Sequence, residues 1–390
     1  MRYLVTKYIN PKGDPMQDDV ISYFLRLVAI DSESGNERGM IDALKLDLED
    51  LGADVHEDDC NRKTGGNAGN LYAYIPGRIN KPPILFCAHV DTVTPGKGIK
   101  ARIKGDKIVS DGTTVLGGDD KSGIAEIMIA LRRIKQRMKD HAPIEILFTV
   151  SEEIGLLGAK GFDKTKLKSA FGYALDTHRV GELVTGAPSQ LTCAVTFFGK
   201  EAHAGVEPEK GLNAIRIAAE AIAAMPMGRI DFETTCNVGV INGGNSTNIV
   251  PNTVTIKGEA RSHNPQKLER VSGDMKKAID TTIARYQAEH AQARAEFNCK
   301  QEYAAFSIQD SADVVRCAQT ALRKLDIPFT TGKGGGGSDA NILNEFGIPT
   351  IITGTGMDKV HTVDECIEID QLRQGTDFVE EVIRTYSEGF

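Results

Sequence analysis

The sequence predicts an α/β protein built on a mostly parallel sheet covered by helices on both faces, with an inserted α+β domain. Three observations predict it. The runs "PILFCAHV", "IEILFTV" and "FGYALDT" are apolar throughout, as strands buried on both faces must be, and helical segments alternate with them. From about residue 186 to 300 the order becomes strand–helix–strand–strand–helix–strand, that of a ferredoxin-like sandwich. After residue 301 the first pattern resumes. A chain of 390 residues exceeds one simple core. Residues 1–185 and 301–390 are therefore expected to form one domain, interrupted by a lid of residues 186–300.

Taken in order, residues 17–52 read as a helix, a turn at "DSESGNE" and a second helix stopped by Gly52. "NLYAYIP" and "PILFCAHV" are strands separated by the turn-rich "GRINKPP". "DDKSGIAEIMIALRRIKQRM" has apolar residues at helical spacing, before the strands "IEILFTV" and "FGYALDT". In the inserted segment "LTCAVTFFG" alternates, "GLNAIRIAAEAIAAM" is helical, and "TCNVGVI" pairs with "NTVTIKGEA". A long polar helix from Pro265 to about His290 then leads into the strand "ARAEFNCKQEY".

The net charge of −8 is spread along the chain, which argues against nucleic acid or an anionic membrane as partner. The one basic run, "LRRIKQRMKD", reads as the solvated face of a helix. No apolar stretch approaches the ~20 residues of a membrane span. "MRYLVTKYINPKGDP" lacks the apolar region of a secretory signal. Seven scattered cysteines without a C-x-x-C pair suggest a reduced cytoplasmic protein with small buried thiols.

The chemistry is concentrated where strands end. "IEILFTV" runs straight into Glu152 and Glu153, two like charges that repel and that burial makes costlier. A divalent cation would remove that penalty. One carboxylate could bind it, while the other accepts a proton from water that the cation has acidified. In "LFCAHVDTV" His89 and Asp91 point to one face, and the aspartate suits the role of orienting the imidazole. Taken alone, this pair reads as a satisfied structural histidine. "LGGDDKSG" places Asp119 at a helix start, where it is an ordinary cap or a carboxylate shared by two ions. "YALDTHRVGEL" adds Asp176, with His178 as its rival on the same strand face, and "DKVHTVDE" adds His361. Two ions sharing Asp119 would use His89, Asp119, Glu153, Asp176 and His361. Mixed N/O ligation without thiolate suits Zn²⁺, with Co²⁺ or Mn²⁺ as alternatives.

In this order "HVDTV", "GGDDKSG", "SEEIG", "LDTHRVGEL" and "GGGGSDAN" resemble the co-catalytic metallopeptidases related to peptidase T, across nearly the whole chain. That family also includes glutamate carboxypeptidase, aminoacylase and succinyl-diaminopimelate desuccinylase. The resemblance implies a zinc-exopeptidase fold with His89, Asp119 and Asp176 on one ion, and Asp119, Glu153 and His361 on the other. It implies Glu152 as general base, Asp91 as partner of His89, and a cis peptide bond after Asp119. In "FFGKEAHAGVEPEKGLNA" it makes His203 the oxyanion stabiliser, which otherwise reads as a surface residue. "NSTNIVP" and "GEARSHN" nominate Asn248 and Arg261 to hold the substrate carboxylate. Gly335 and Gly336, in "TGKGGGGSDAN", could bring main-chain N–H groups to the same anion. At Gly335 the chain departs from peptidase T, which has an arginine just before its glycine pair. A homodimer through the lid is also implied, with shared sites in which His203 reaches the other subunit's metals.

The expected activity is hydrolysis of short peptides by a tripeptide aminopeptidase-like enzyme. An N-acyl-amino-acid deacylase would use the same site. A nucleotide-binding protein built on "GKGGGGS" is a different class, but the stretch lacks the G-K-[ST] ending of a phosphate loop and leaves the glutamate doublet unexplained. A metal-binding regulator without activity would have no need of Glu152.

Overall fold

The computed structural model describes residues 19–138 and 140–390. The reading of the first fifteen residues lies outside them. Two compact units are formed: one of residues up to Thr185 with Ser307–Lys333 and Ser338–Phe390, the other of Gly186–Phe306 with Gly334–Gly337. The second unit thus takes in four residues of the glycine-rich stretch.

The first unit is organised by four adjacent parallel strands, in the order Ile144–Thr149, Ile84–His89, Gly172–Thr177 and Thr350–Gly354. Antiparallel strands flank them, Leu71–Ile75 and Asp54–Glu57 on one side and Glu182–Ala187 on the other. Every residue of Ile84–His89 and of Ile144–Thr149 is buried. That is why these strands lack the polar alternation of a half-exposed sheet. The sequence-based expectation of a helix pair in residues 17–52 corresponds to helices Asp19–Val28 and Arg38–Asp50. A small four-stranded antiparallel sheet, Met357–Asp358, Cys366–Glu368, Lys107–Val109 and Arg102–Lys104, had no clear sequence signal because its strands are only two or three residues long. Among the described residues, no helix is long and apolar enough to cross a membrane.

The basic run needs correction. On helix Gly118–Arg137 its cations are engaged within the protein rather than simply solvated. Arg133 is buried and pairs with Asp377 at 2.7 Å and Glu380 at 3.6 Å. Arg132 lies over the Tyr23 ring, and Lys135 donates to the Asp50 carbonyl. The helix is seated on its neighbours on more than its apolar side.

The second unit is an antiparallel sheet in the order Gly228–Asp231, Thr234–Gly243, Thr253–Ser262, Ser189–Phe198 and Arg294–Tyr303. Its core contains residues of helices Ala214–Ala224 and Pro265–Gln287. Omitting the short first strand, the connection and order are those of the ferredoxin-like sandwich. The expectation that all cysteines are reduced fails here. Cys193 and Cys299 stand directly opposite each other on neighbouring strands and are joined by a disulfide, while the five other cysteines are free and buried.

The bridge spans 106 residues, so its removal should destabilise this unit by about 4–5 kcal/mol through the freedom returned to the unfolded chain. Urea denaturation with and without dithiothreitol measures this. Reductant should lower the midpoint of the native protein and leave that of Cys193→Ser unchanged.

Candidate metal centre

The parallel strands deliver the reactive side chains at their carboxyl ends, where open α/β sheets bind their ligands. His89 ends its strand, Asp176 lies one residue from the end of Gly172–Thr177, and Glu152 and Glu153 follow Thr149. Asp119 lies at the start of helix Gly118–Arg137, where it and Asp120 depart from helical backbone angles, and is joined to Asp120 by a cis peptide bond. His361 projects from the loop between Met357–Asp358 and Cys366–Glu368.

These five side chains meet in the first unit. His89 Nε2 lies 2.9 Å from Asp119 Oδ1 and 3.9 Å from Asp176 Oδ1. His361 Nε2 lies 3.2 Å from Asp119 Oδ2 and 2.9 Å from Glu153 Oε1. Asp119 therefore turns one carboxylate oxygen to each imidazole. Ligand atoms of His89, Asp119 and Glu153 fall within 4.8 Å of one another, and so do those of His89, Asp120 and Asp176. Asp120 is less available than this suggests, because its two oxygens accept the main-chain N–H groups of His89 and Gly123. His178 turns away, its Nδ1 3.3 Å from the Met357 carbonyl.

The electrostatics explain what such a cluster needs. Burial pushes the Glu152 carboxyl well above its ordinary range; the charge of His89 opposes this, and Asp176 and Asp339 reinforce it. Burial likewise raises Asp176 and Glu153. Burial would raise Asp119 too, but hydrogen bonds with His361 and His89 outweigh it and hold that carboxyl low. His361 is pushed up to about 10, first by its hydrogen bond with Asp119 and then by that with Glu153. For His89, burial acts downward and is overcome by hydrogen bonds with Asp119 and Asp91. The cluster thus favours added positive charge, which divalent cations would supply. Two imidazoles and three carboxylates converging on one point fit a pair of divalent ions.

Asp91 does more than face the imidazole as an orienting carboxylate. His89 Nδ1 is 3.0 Å from the Asp91 main-chain oxygen, with the carboxylate at 3.5 Å. That carboxylate accepts the main-chain N–H of Glu152 at 2.9 Å, that of Glu153 at 3.2 Å, and the Ser34 hydroxyl at 2.7 Å. It binds the glutamate doublet by the backbone. Glu365, which sequence reasoning missed, does the same for the aspartate: its buried carboxylate accepts the N–H groups of Leu116, Gly117 and Asp119 at 2.7–3.0 Å. Only its tertiary contacts distinguish it from its acidic neighbours in "VDECIE".

The remaining expected residues lie in the second unit. His203 is exposed and its Nδ1 accepts the Gly205 N–H; it bridges to Ile249, beside Asn248. Ser246 donates to the Asn248 side chain. Arg261 presents two guanidinium nitrogens to the two oxygens of Glu259, each at 3.1 Å, so its fork is already occupied. Gly335 and Gly336 are open to solvent, and a Cβ on either would meet nothing within 4 Å. The glycine that packing requires is Gly337, whose Cβ would fall 2.2 Å from the Tyr303 ring.

Comparison with known proteins agrees with this geometry. The profile of the peptidase dimerisation domain matches residues 185–287, and that of peptidase family M28 matches residues 70–186. The Bacillus subtilis protein YqjE is 42% identical over 365 residues, spanning 93% of this chain and 97% of its own. The crystal structure of aminopeptidase PepT from Bacillus cereus has a TM-score of 0.84 at 42% identity, covering 94% of this chain and 98% of that one. The chain belongs to the peptidase T-like M20 metallopeptidases. A tripeptidase structure from Staphylococcus aureus agrees, with a TM-score of 0.89 at 39% identity over 96% of this chain and 99% of that one. As an M20 metallopeptidase, the protein is a metal-dependent hydrolase.

Metal uptake by the metal-free protein should release protons at pH 7. The imidazoles and raised carboxyls hold protons that ligation displaces, so affinity must fall as pH is lowered. Calorimetric titration with Zn²⁺ in buffers of different ionisation heat reads this directly, and an enthalpy independent of buffer would contradict it.

Proposed function

We propose that the protein is an exopeptidase acting on short peptides, in the manner of a tripeptide aminopeptidase, with two divalent ions as cofactor. The observation carrying this reading is the Asp119 carboxylate, which offers one oxygen on the His89 side and the other on the His361 side. His89, Asp119 and Asp176 would hold one ion, and Asp119, Glu153 and His361 the other. Zinc suits this donor set, and cobalt or manganese would accept it. When bound, the ions supply Lewis acidity and lower the pKa of a water to roughly 7.

The chain's own residues do the rest. Glu152, buried and with a raised proton affinity, takes a proton from the attacking water on its carboxylate and returns it to the departing amine. Asp91 fixes the main chain from which Glu152 projects. His203, reaching the other subunit's metals in the homodimer proposed below, would donate an N–H to the carbonyl oxygen as negative charge builds there. Asn248, Arg261 and the main chain of Gly335 and Gly336 receive the substrate carboxylate, Arg261 exchanging its hold on Glu259 for it. The similarity to PepT and to a tripeptidase supports the peptide substrate.

A homodimer through the second unit completes the reading. The strand Gly228–Asp231 pairs only with Thr234, Thr235 and Cys236, which leaves the rest of Thr234–Gly243 as an open edge in the described sheet. Val240, Ile241 and Ile249 are exposed nearby in sequence, and Ile215 is exposed on helix Ala214–Ala224. An open strand with apolar side chains suits pairing with a second copy. A cytoplasmic location is our reading of the five free, buried thiols, to which the Cys193–Cys299 bridge is the exception.

Purified protein should contain two metal equivalents and hydrolyse tripeptides with a free amine in preference to N-acetyl amino acids; the reverse preference would make it a deacylase. Glu152→Ala should keep its metal and lose turnover by about a thousandfold or more, roughly 4 kcal/mol of transition-state stabilisation. Activity within tenfold of the native enzyme would remove Glu152 from this role. Ile241→Lys should shift sedimentation from dimer toward monomer.

A further inference from the structure

Among the buried carboxylates that the mechanism does not use, one touches the segment bearing the glutamate doublet. Glu37 is fully buried and precedes helix Arg38–Asp50 without capping it through its side chain. Its Oε1 accepts the Gly35 N–H at 2.7 Å, the Ser151 N–H at 3.1 Å and the Ser151 hydroxyl at 3.0 Å. Its Oε2 is buried with no hydrogen-bond partner. Ser151 is the residue just before the glutamate doublet, and it is one of five non-glycine residues with positive φ among those described, at +54°. An L residue holds the left-handed conformation only where its surroundings enforce it. Two of the three polar groups of Ser151, the main-chain N–H and the side-chain hydroxyl, end on Glu37, while its carbonyl accepts the Leu157 N–H at 3.0 Å.

We propose that Glu37 is a positioning residue for Glu152, acting through the left-handed turn at Ser151. The inference rests on the reading of Glu152 as the proton-transfer group. The chain leaves Ile144–Thr149, reverses its backbone at Ser151, and is then gripped by Asp91 at the N–H groups of Glu152 and Glu153. Glu37 holds the residue before the doublet and Asp91 the doublet itself, so two buried carboxylates fix its main chain from opposite ends. Glu153 has a further anchor in His361. Glu152 depends on the backbone clamp for its aim. Loss of Glu37 therefore misplaces the base before it disturbs the metal ligands.

Glu37→Ala and Glu152→Ala are compared for kcat, KM and metal content measured by mass spectrometry on unreacted protein. Glu37→Ala should lose at least about thirtyfold in kcat, with KM within about threefold and two metal equivalents retained. Adding Ser151→Gly should restore much of that loss, because glycine adopts positive φ unaided. Glu37→Gln, which keeps an acceptor oxygen, should retain more activity than Glu37→Ala. If Glu37→Ala does not fold, Ser151→Ala carries the test, with kcat alone falling by about threefold to tenfold. Loss of metal in parallel with kcat, or no recovery with Ser151→Gly, overturns the inference. An inactive Glu152→Ala beside a fully active Glu37→Ala sinks this inference alone, whereas an active Glu152→Ala sinks the proposed mechanism beneath it.

Discussion

Like charges are crowded where the parallel strands end, and everything around them is arranged to make that tolerable. Glu152 and Asp119 are buried away from water, where an ionised carboxylate is costly unless an opposite charge or a hydrogen-bond donor is at hand. The strands bring them there because a parallel sheet buried on both faces has one polar opening, at its carboxyl ends. Asp119 is the member on which the others turn, since both imidazoles approach it, each at a different oxygen.

A second ring of carboxylates does a different job from the first. Asp91, Glu365 and Glu37 point their oxygens at main-chain N–H groups of the segments bearing Glu152, Glu153 and Asp119. Each fixes backbone, and Asp91 and Glu37 also accept a serine hydroxyl, from Ser34 and Ser151. Loops without regular hydrogen-bonded partners would otherwise leave these donors unsatisfied, and a buried orphan N–H costs about as much as a lost hydrogen bond. Lys121 adds to the frame, its buried ammonium donating to the Ile30 carbonyl. The polar interior of this unit is therefore part of its architecture as well as its chemistry.

Much of this was legible in the sequence, and the reasons are local. The buried strands declared themselves because they have no polar face, and the glutamate doublet because an apolar strand has no use for it. Asp119, His89 and His361 could be grouped only through the order of motifs, for they are far apart in the chain. The short strands of residues 102–109 were invisible, being too brief for any period to show. Glu37 and Glu365 were missed because their roles depend on which distant N–H groups fold back upon them. The basic run was misread for a similar reason: its acidic partners Asp377 and Glu380 lie more than two hundred residues later. The glycine-rich stretch was read for anion binding at Gly335 and Gly336, whereas steric demand falls on Gly337 against Tyr303, a contact no local pattern announces.

The link between Cys193 and Cys299 also turns most of the second unit into a covalent ring. A protease that nicks a surface loop inside that ring leaves both fragments tethered, so the severed chain keeps its mass and its sheet. Damage of this kind would stay hidden until a reducing agent opened the ring.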